Sequence, residues 1–407
     1  MKEVNGGVCA PRGFQAGGIR CGIKASSQKR DLALIYSQAP CSAAAVYTTN
    51  KVKAASIQVS REHIAGGVLR AVIINSGNAN ACTGEAGLNA ARKMTELAAG
   101  LFAIDPKQVA VASTGVIGVP LPIAVIEGGM ETLGKSLSAD EAGHAAAMEA
   151  IMTTDHRKKE WSVEIEIDGV LVRIGGIAKG SGMIHPNMAT MMCFITTDAA
   201  ISCEALDISL RRAVRVSFNR LSVDGDTSTN DIVIVMANGQ AGNTPITAGS
   251  PSHDVFERAL ETFCIKFAKA VARDGEGATK MLTINVSGAK DEEAAETLAR
   301  SVASSNLVKA ACFGADANWG RILCAMGYSG ADFNPAEVDI SFASGGEEAQ
   351  VCRNGASIPF CEETAKRIIQ QEDLEIRIKA GAGAGNATAW GCDLTFDYVK
   401  INGNYRS

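Results

Sequence analysis

The chain is predicted to fold as an α+β (α/β sandwich-like) protein, with mixed and antiparallel sheets covered by helices. Three observations lead there. Short runs rich in β-branched residues recur along the 407 residues. Stretches with apolar residues at 3.6-residue spacing separate them. Two of the runs, 162–167 and 170–177, lie close enough to form a hairpin, which breaks the strict βαβ alternation of a doubly wound parallel sheet.

In chain order, strands are expected at 32–36, 70–75, 108–112, 162–167, 170–177, 192–197, 231–237, 282–286 and 394–399. Helical faces are marked by Leu88, Ala91, Met94, Ala98 and Leu101, and by Phe256, Leu260, Phe263, Phe267 and Val271. Ser138-Ala-Asp-Glu141 has capping-box spacing before a helix through Ile151. A further amphipathic helix is expected near 291–303. No internal repeat or low-complexity linker divides the chain. The best-marked boundaries are the leader at 179–190 and the turn-rich stretch at 238–253.

Apolar residues make up 46 % and charged residues 20 %, with 42 glycines and 10 prolines. That is a globular rather than a disordered balance. A formal net charge of −5 without a basic tract argues against nucleic acid or a membrane surface as a partner. Small charged substrates need only one or two local charges. The opening MKEVNGGVCAPRGF lacks an apolar core, so a cytoplasmic protein is expected. Its 12 cysteines are scattered without a C-x-x-C pair and read as reduced, mostly buried small hydrophobes. Five dispersed histidines without H-x-x-x-H spacing point to no metal site and no metal cofactor.

Chemistry is suggested first at KGSGMIHPNMATMMCFITTD, residues 179–198. A threonine hydroxyl is a poor nucleophile and needs an adjacent base. If the bond between Ala189 and Thr190 is cut, the new α-amino group, with a reference pKa of roughly 7.7–8.0, becomes that base. Ser113-Thr114-Gly115-Val116-Ile117-Gly118 follows an apolar run and suits either an oxyanion hole or a strand-to-loop turn. Asp274-Gly-Glu276-Gly-Ala-Thr-Lys280 places Glu276 between two glycines, either facing a substrate ammonium or closing a helix in solvent. Lys179 sits among small residues after an apolar run, open to a site role or to solvent. The glycines of residues 380–391 match no phosphate loop and fit close backbone packing better.

Together these segments resemble the bifunctional arginine-biosynthesis family, glutamate N-acetyltransferase (ornithine acetyltransferase). The resemblance continues through Asn75-Ser-Gly-Asn-Ala-Asn80-Ala-Cys-Thr-Gly84, Ser222-Val-Asp-Gly-Asp-Thr-Ser-Thr-Asn-Asp231, Asn318-Trp-Gly-Arg-Ile322, Ala389-Trp-Gly-Cys-Asp393 and Tyr398-Val-Lys-Ile-Asn402. It spans nearly the whole chain in order. It implies self-cleavage at Ala189-Thr190 into an α chain of residues 1–189 and a β chain of 190–407, associated as a heterotetramer of two each. A C-terminal subdomain from about residue 281 is also allowed for.

By match to the family motifs, Thr190 is the nucleophile, and Thr114 with Gly115 forms the oxyanion hole. Thr153, Lys179, Thr190, Glu276, Asn402 and Ser407 bind substrate; serine stands at the last position where the family usually has threonine. The implied reaction moves the acetyl group of N2-acetyl-L-ornithine to L-glutamate through an acetyl-threonine, with no cofactor. Use of acetyl-coenzyme A as a second donor stays open. The implied fold resembles the self-processing aminopeptidase/amidase group rather than the N-terminal-nucleophile hydrolases in connectivity. An amidohydrolase or aminopeptidase using the same threonine is the alternative, since both pass through an acyl-threonine.

Overall fold

The structure, a computed structural model, describes residues 1–24, 27–185 and 191–404. Two sheets organise them. The strands in chain order are β1 (Lys2–Glu3), β2 (Phe14–Ile19), β3 (Leu32–Tyr47), β4 (Val68–Asn78), β5 (Val109–Val116), β6 (Lys159–Ile167), β7 (Val170–Lys179) and β8 (Met192–Thr197). They continue as β9 (Leu221–Ser222), β10 (Ile232–Ala237), β11 (Met281–Ala289), β12 (Asp339–Ser344), β13 (Glu347–Arg353), β14 (Ala356–Ser357), β15 (Asp373–Lys379) and β16 (Gly385–Cys392).

Among the described residues the first sheet has nine strands in the order β1-β6-β7-β8-β10-β3-β4-β5, with β2 also paired to β3. Pairs β8/β10 and β4/β5 are parallel and the rest antiparallel. The long β3 can serve β2 at one end and β10 at the other because its register against β4 shifts between Tyr36 and Cys41. The expected hairpin is present: β6 and β7 join through Asp168 and Gly169, both at positive φ (51° and 80°). That is the two-residue turn whose twist matches the strands.

The helices are α1 (Ala55–Ile64), α2 (Gly84–Gly100), α3 (Ile123–Lys135), α4 (Glu141–Ile151), α5 (Cys203–Val216), α6 (Pro251–Arg273), α7 (Glu292–Ser304), α8 (Asn306–Phe313), α9 (Trp319–Gly327), α10 (Glu362–Ile369) and α11 (Phe396–Asn404). Strand β8 shows how they cover the first sheet. Cys193 and Ile195 pack with Leu206, Leu210 and Phe263 of α5 and α6. Met192 and Phe194, of opposite parity, pack with Ala147 and Ile151 of α4. Both faces are therefore buried, and the strand reads as one continuous apolar run. At the other end, Ile73 and Val111 pack with Met94 of α2 and Leu133 of α3.

The second sheet runs β14-β13-β12-β15-β11-β16-β9. Leu282, Ile284 and Val286 of β11 share a core with Leu298 and Val302 of α7 and with Ile368 and Ile369 of α10. The mixed sheets and their helical cover agree with the α+β expectation. No helix among the described residues is long and apolar enough to cross a membrane. All 12 cysteines are free, and seven are buried.

Two expectations are corrected. The run 394–399 is not a strand. The strand ends at Cys392, and Phe396–Asn404 is helical, with Thr395 Oγ1 accepting from the Tyr398 N–H at 3.4 Å. The apolar residues that suggested a strand, Phe396 and Val399, are exposed. The capping box at Ser138 is also displaced. The cap is Asp140, which accepts from the Gly143 N–H, while Ser138 exchanges backbone hydrogen bonds with Ala16. The glycine-rich stretch after Ala380 is a packing element, as expected: a Cβ on Gly385 would stand 2.0 Å from the Asp291 carbonyl oxygen.

Candidate functional site

Strands β4 and β5 run parallel, so their carboxyl ends open on the same side of the sheet. There Gly77 pairs with Gly115, which has φ of 132°. A Cβ on Gly115 would lie 2.4 Å from the Gly77 carbonyl carbon, so only glycine lets the two backbones meet. Asn230 braces this end, its side-chain amide donating to the carbonyls of Ala79 (2.6 Å) and Ser113 (2.7 Å). Thr114 is thus held at the mouth of the sheet.

Thr114, Gly115, Thr153, Lys179, Glu276 and Asn402 all line one cleft, together with Met191 and Met192. Lys179 ends β7 opposite Met192. It is 7 % exposed, and its ammonium donates to Thr114 Oγ1 at 3.4 Å, so the solvent-facing alternative fails. Glu276 is also 7 % exposed. Its Oε2 accepts from Asn402 Nδ2 at 2.7 Å, across 126 residues of sequence. A Cβ on Gly182 would sit 2.3 Å from the Glu276 carboxyl carbon, so the glycine leaves room for that side chain where it stands. The sequence expectations at Ala189, Thr190 and Ser407 lie outside the described residues.

Several charged residues at the site escaped the sequence reading. Asp155 and Asp274 flank Lys159, whose Nζ lies 2.7 Å from Asp155 Oδ1 and 2.5 Å from Asp274 Oδ2. Burial pushes the Asp155 carboxyl up, but the charges of Lys179 and Lys159 and the Gly180 N–H outweigh it and hold it below the ordinary range. Asp231, on the cleft wall, goes the other way. Burial raises it well above the carboxylate range against the pull of Lys179, and its Oδ2 has no hydrogen-bond partner among the described residues. Lys24 donates to the Met152 carbonyl at 2.8 Å; burial lowers its ammonium to about 8 despite Asp31. The sole sequence signal for Asp231 was its place at the end of the run from Ser222. Asp274 heads the segment singled out for Glu276, while Lys24, Asp155 and Lys159 share no local pattern.

The site's chemistry is now defined: a hydroxyl beside a cramped glycine turn, an ammonium on that hydroxyl, and an amide-held carboxylate across the cleft. The model of the ArgJ family matches residues 15–407.

The chain belongs to the ArgJ family.

It is 51 % identical over 408 residues to the arginine biosynthesis bifunctional protein ArgJ of Symbiobacterium thermophilum, with 100 % of each chain covered. To the protein of the same name from Bacillus subtilis it is 48 % identical over 406 residues, covering 100 % of this chain and 98 % of the relative. Among solved structures it resembles the arginine biosynthesis bifunctional protein ArgJ of Bacillus halodurans, at 44 % identity and a TM-score of 0.50. That match covers 52 % of this chain and 98 % of the other. The activity of this ArgJ-family chain is acetyl transfer in arginine biosynthesis, not the hydrolytic alternative.

Proposed function

We propose that the chain cuts itself between Ala189 and Thr190, and that Thr190 then carries acetyl groups from N2-acetyl-L-ornithine to L-glutamate. One observation carries this reading. Thr114, Gly115, Thr153, Lys179, Glu276 and Asn402, drawn from separate segments, converge on a cleft whose wall includes Met191 and Met192, the residues that follow Thr190. The solved relative supports the cut: nearly its whole chain matches about half of this one.

In the first half-reaction the Thr190 α-amine takes the hydroxyl proton while Oγ attacks the acetyl carbonyl. The Thr114 hydroxyl and the Gly115 backbone stabilise the oxyanion. Collapse breaks the C–N bond, and the departing ornithine α-amine takes the proton from the Thr190 ammonium. In the second half-reaction the glutamate α-amine attacks the acetyl ester and gives up a proton to the Thr190 amine. Oγ leaves and recovers that proton, yielding N-acetylglutamate. Lys179 pairs with a substrate carboxylate and Glu276 with the ornithine side-chain ammonium, while Thr153, Asn402 and Ser407 complete the binding groups. The two cut chains stay together as a heterotetramer in the cytoplasm, and no cofactor takes part.

Intact-mass measurement of freshly purified protein should find two chains divided before residue 190. Thr190→Ala should give one uncut chain without acetyl transfer; transfer by that variant would remove the nucleophile. Ping-pong kinetics with acetylornithine and glutamate are expected. The word bifunctional in the relatives' names supports a second donor. Acetyl-coenzyme A with glutamate and no acetylornithine should therefore still form N-acetylglutamate.

A further inference from the structure

Lys159 does not line the cleft, yet its two carboxylate partners are bonded to the segments that carry both charged poles. Its side chain is 1 % exposed, and those of Asp155 and Asp274 are 0 % and 3 % exposed. Asp155 reaches toward one pole. Its Oδ1 accepts from the Gly180 N–H at 2.8 Å, next to Lys179, and its Oδ2 accepts from the Thr153 N–H at 3.1 Å. Asp274 reaches toward the other. Its carbonyl accepts from Ser181 Oγ at 2.6 Å, and the Ser181 carbonyl accepts from the Glu276 N–H at 3.0 Å. Asp274 Oδ2 also accepts from the backbone N–H groups of His156 and Arg157. Three segments, 153–159, 179–181 and 274–276, are thereby tied through one buried ammonium.

We propose that Lys159 is a positioning residue for specificity, fixing through Asp155 and Asp274 the spacing between Lys179 and Glu276 and hence the length of substrate the cleft accepts. This rests on the reading that Lys179 takes the substrate carboxylate and Glu276 its side-chain ammonium. Acetylated diamino acids differ by one methylene each between those two charges. A cleft with rigidly held poles discriminates among them, and one with loosened poles does not. Buried ion clusters suit this task because their geometry is specified by fixed donors and acceptors rather than by shape alone.

The test measures kcat/KM for N2-acetylornithine against N2-acetyllysine and N2-acetyl-2,4-diaminobutyrate, one carbon longer and one shorter, with glutamate as acceptor. The wild-type enzyme should prefer acetylornithine by about 10–200-fold, the range one methylene supplies. Lys159→Met should lower that preference by about tenfold, and Ser181→Ala, which deletes only the hydroxyl joining Asp274 to the Glu276 side, by about threefold. A merely structural role would reduce the active fraction, leaving the ratio between substrates unchanged. If Lys159→Met does not fold, Ser181→Ala decides alone. Unchanged ratios in the folded variants overturn the proposal while leaving the acetyl-transfer reading intact. Failure of the wild-type enzyme to transfer acetyl from acetylornithine instead sinks that underlying reading.

Discussion

The two sheets bury their strands differently. In the first, alternate residues of β8 face opposite helical layers, so neither face meets water. In the second, β11 turns Leu282, Ile284 and Val286 to the helices, while Asn285 and Ser287 join Ser341, Gln350 and Arg377 along an open groove. The doubly covered sheet carries the candidate site, where low exposure strengthens every charge interaction. Burial leaves the ion pairs of Lys159 unscreened, and its two fixed carboxylate partners offset the cost of taking those charges out of water.

The largest effect that tests this contrast is Phe194→Ala. Phe194 is 1 % exposed between layers, and its loss should cost about 3–5 kcal/mol, read by urea unfolding in the uncut Thr190→Ala chain. A cost near zero would break the claim of a packed second layer.

A smaller effect concerns acid. The folded-state pKa of Asp155 is depressed, so its contribution is fully present above its unfolded value near about 3.9 and fades as pH falls below that. Thermal midpoints between pH 5 and 3 should therefore fall less steeply in Asp155→Asn than in the parent. An identical slope would show that the cluster does not favour the ionised form.

The smallest is expected on the open face. Arg377 pairs with Glu348 at 2.6 Å, but both side chains are nearly half exposed. Arg377→Ala should change stability by less than about 1 kcal/mol in the same urea assay, and a larger loss would mean that something covers that groove.

The same difference explains what could be read from the residues alone. Several strands of the doubly covered sheet announce themselves as apolar runs, and 32–36, 192–197 and 231–237 fall within β3, β8 and β10, apart from Asp231 just before β10. In the second sheet, DLEIRIK alternates apolar with charged side chains and EEAQVCR opens on two glutamates with a glutamine between Ala349 and Val351, and neither run is marked as a strand by an apolar stretch. At the site, Thr114, Lys179 and Glu276 stood out because each sits in a polar, small-residue segment beside a regular element. Thr153 and Asn402 have no such setting, and only the family resemblance singled them out. The ion cluster was invisible because Lys159 and Asp274 lie 115 residues apart, and no local spacing encodes a meeting at that range.

The order of strands in the first sheet bears on what happens after a cut at residue 189. Strand β8 sits between β7 and β10, and β10 in turn lies against β3. The fragments on either side of the break would thus be woven into one fabric along two seams. Neither half could be peeled away without stripping hydrogen bonds from the other, so separately expressed halves should fail to refold on their own and succeed only when made together.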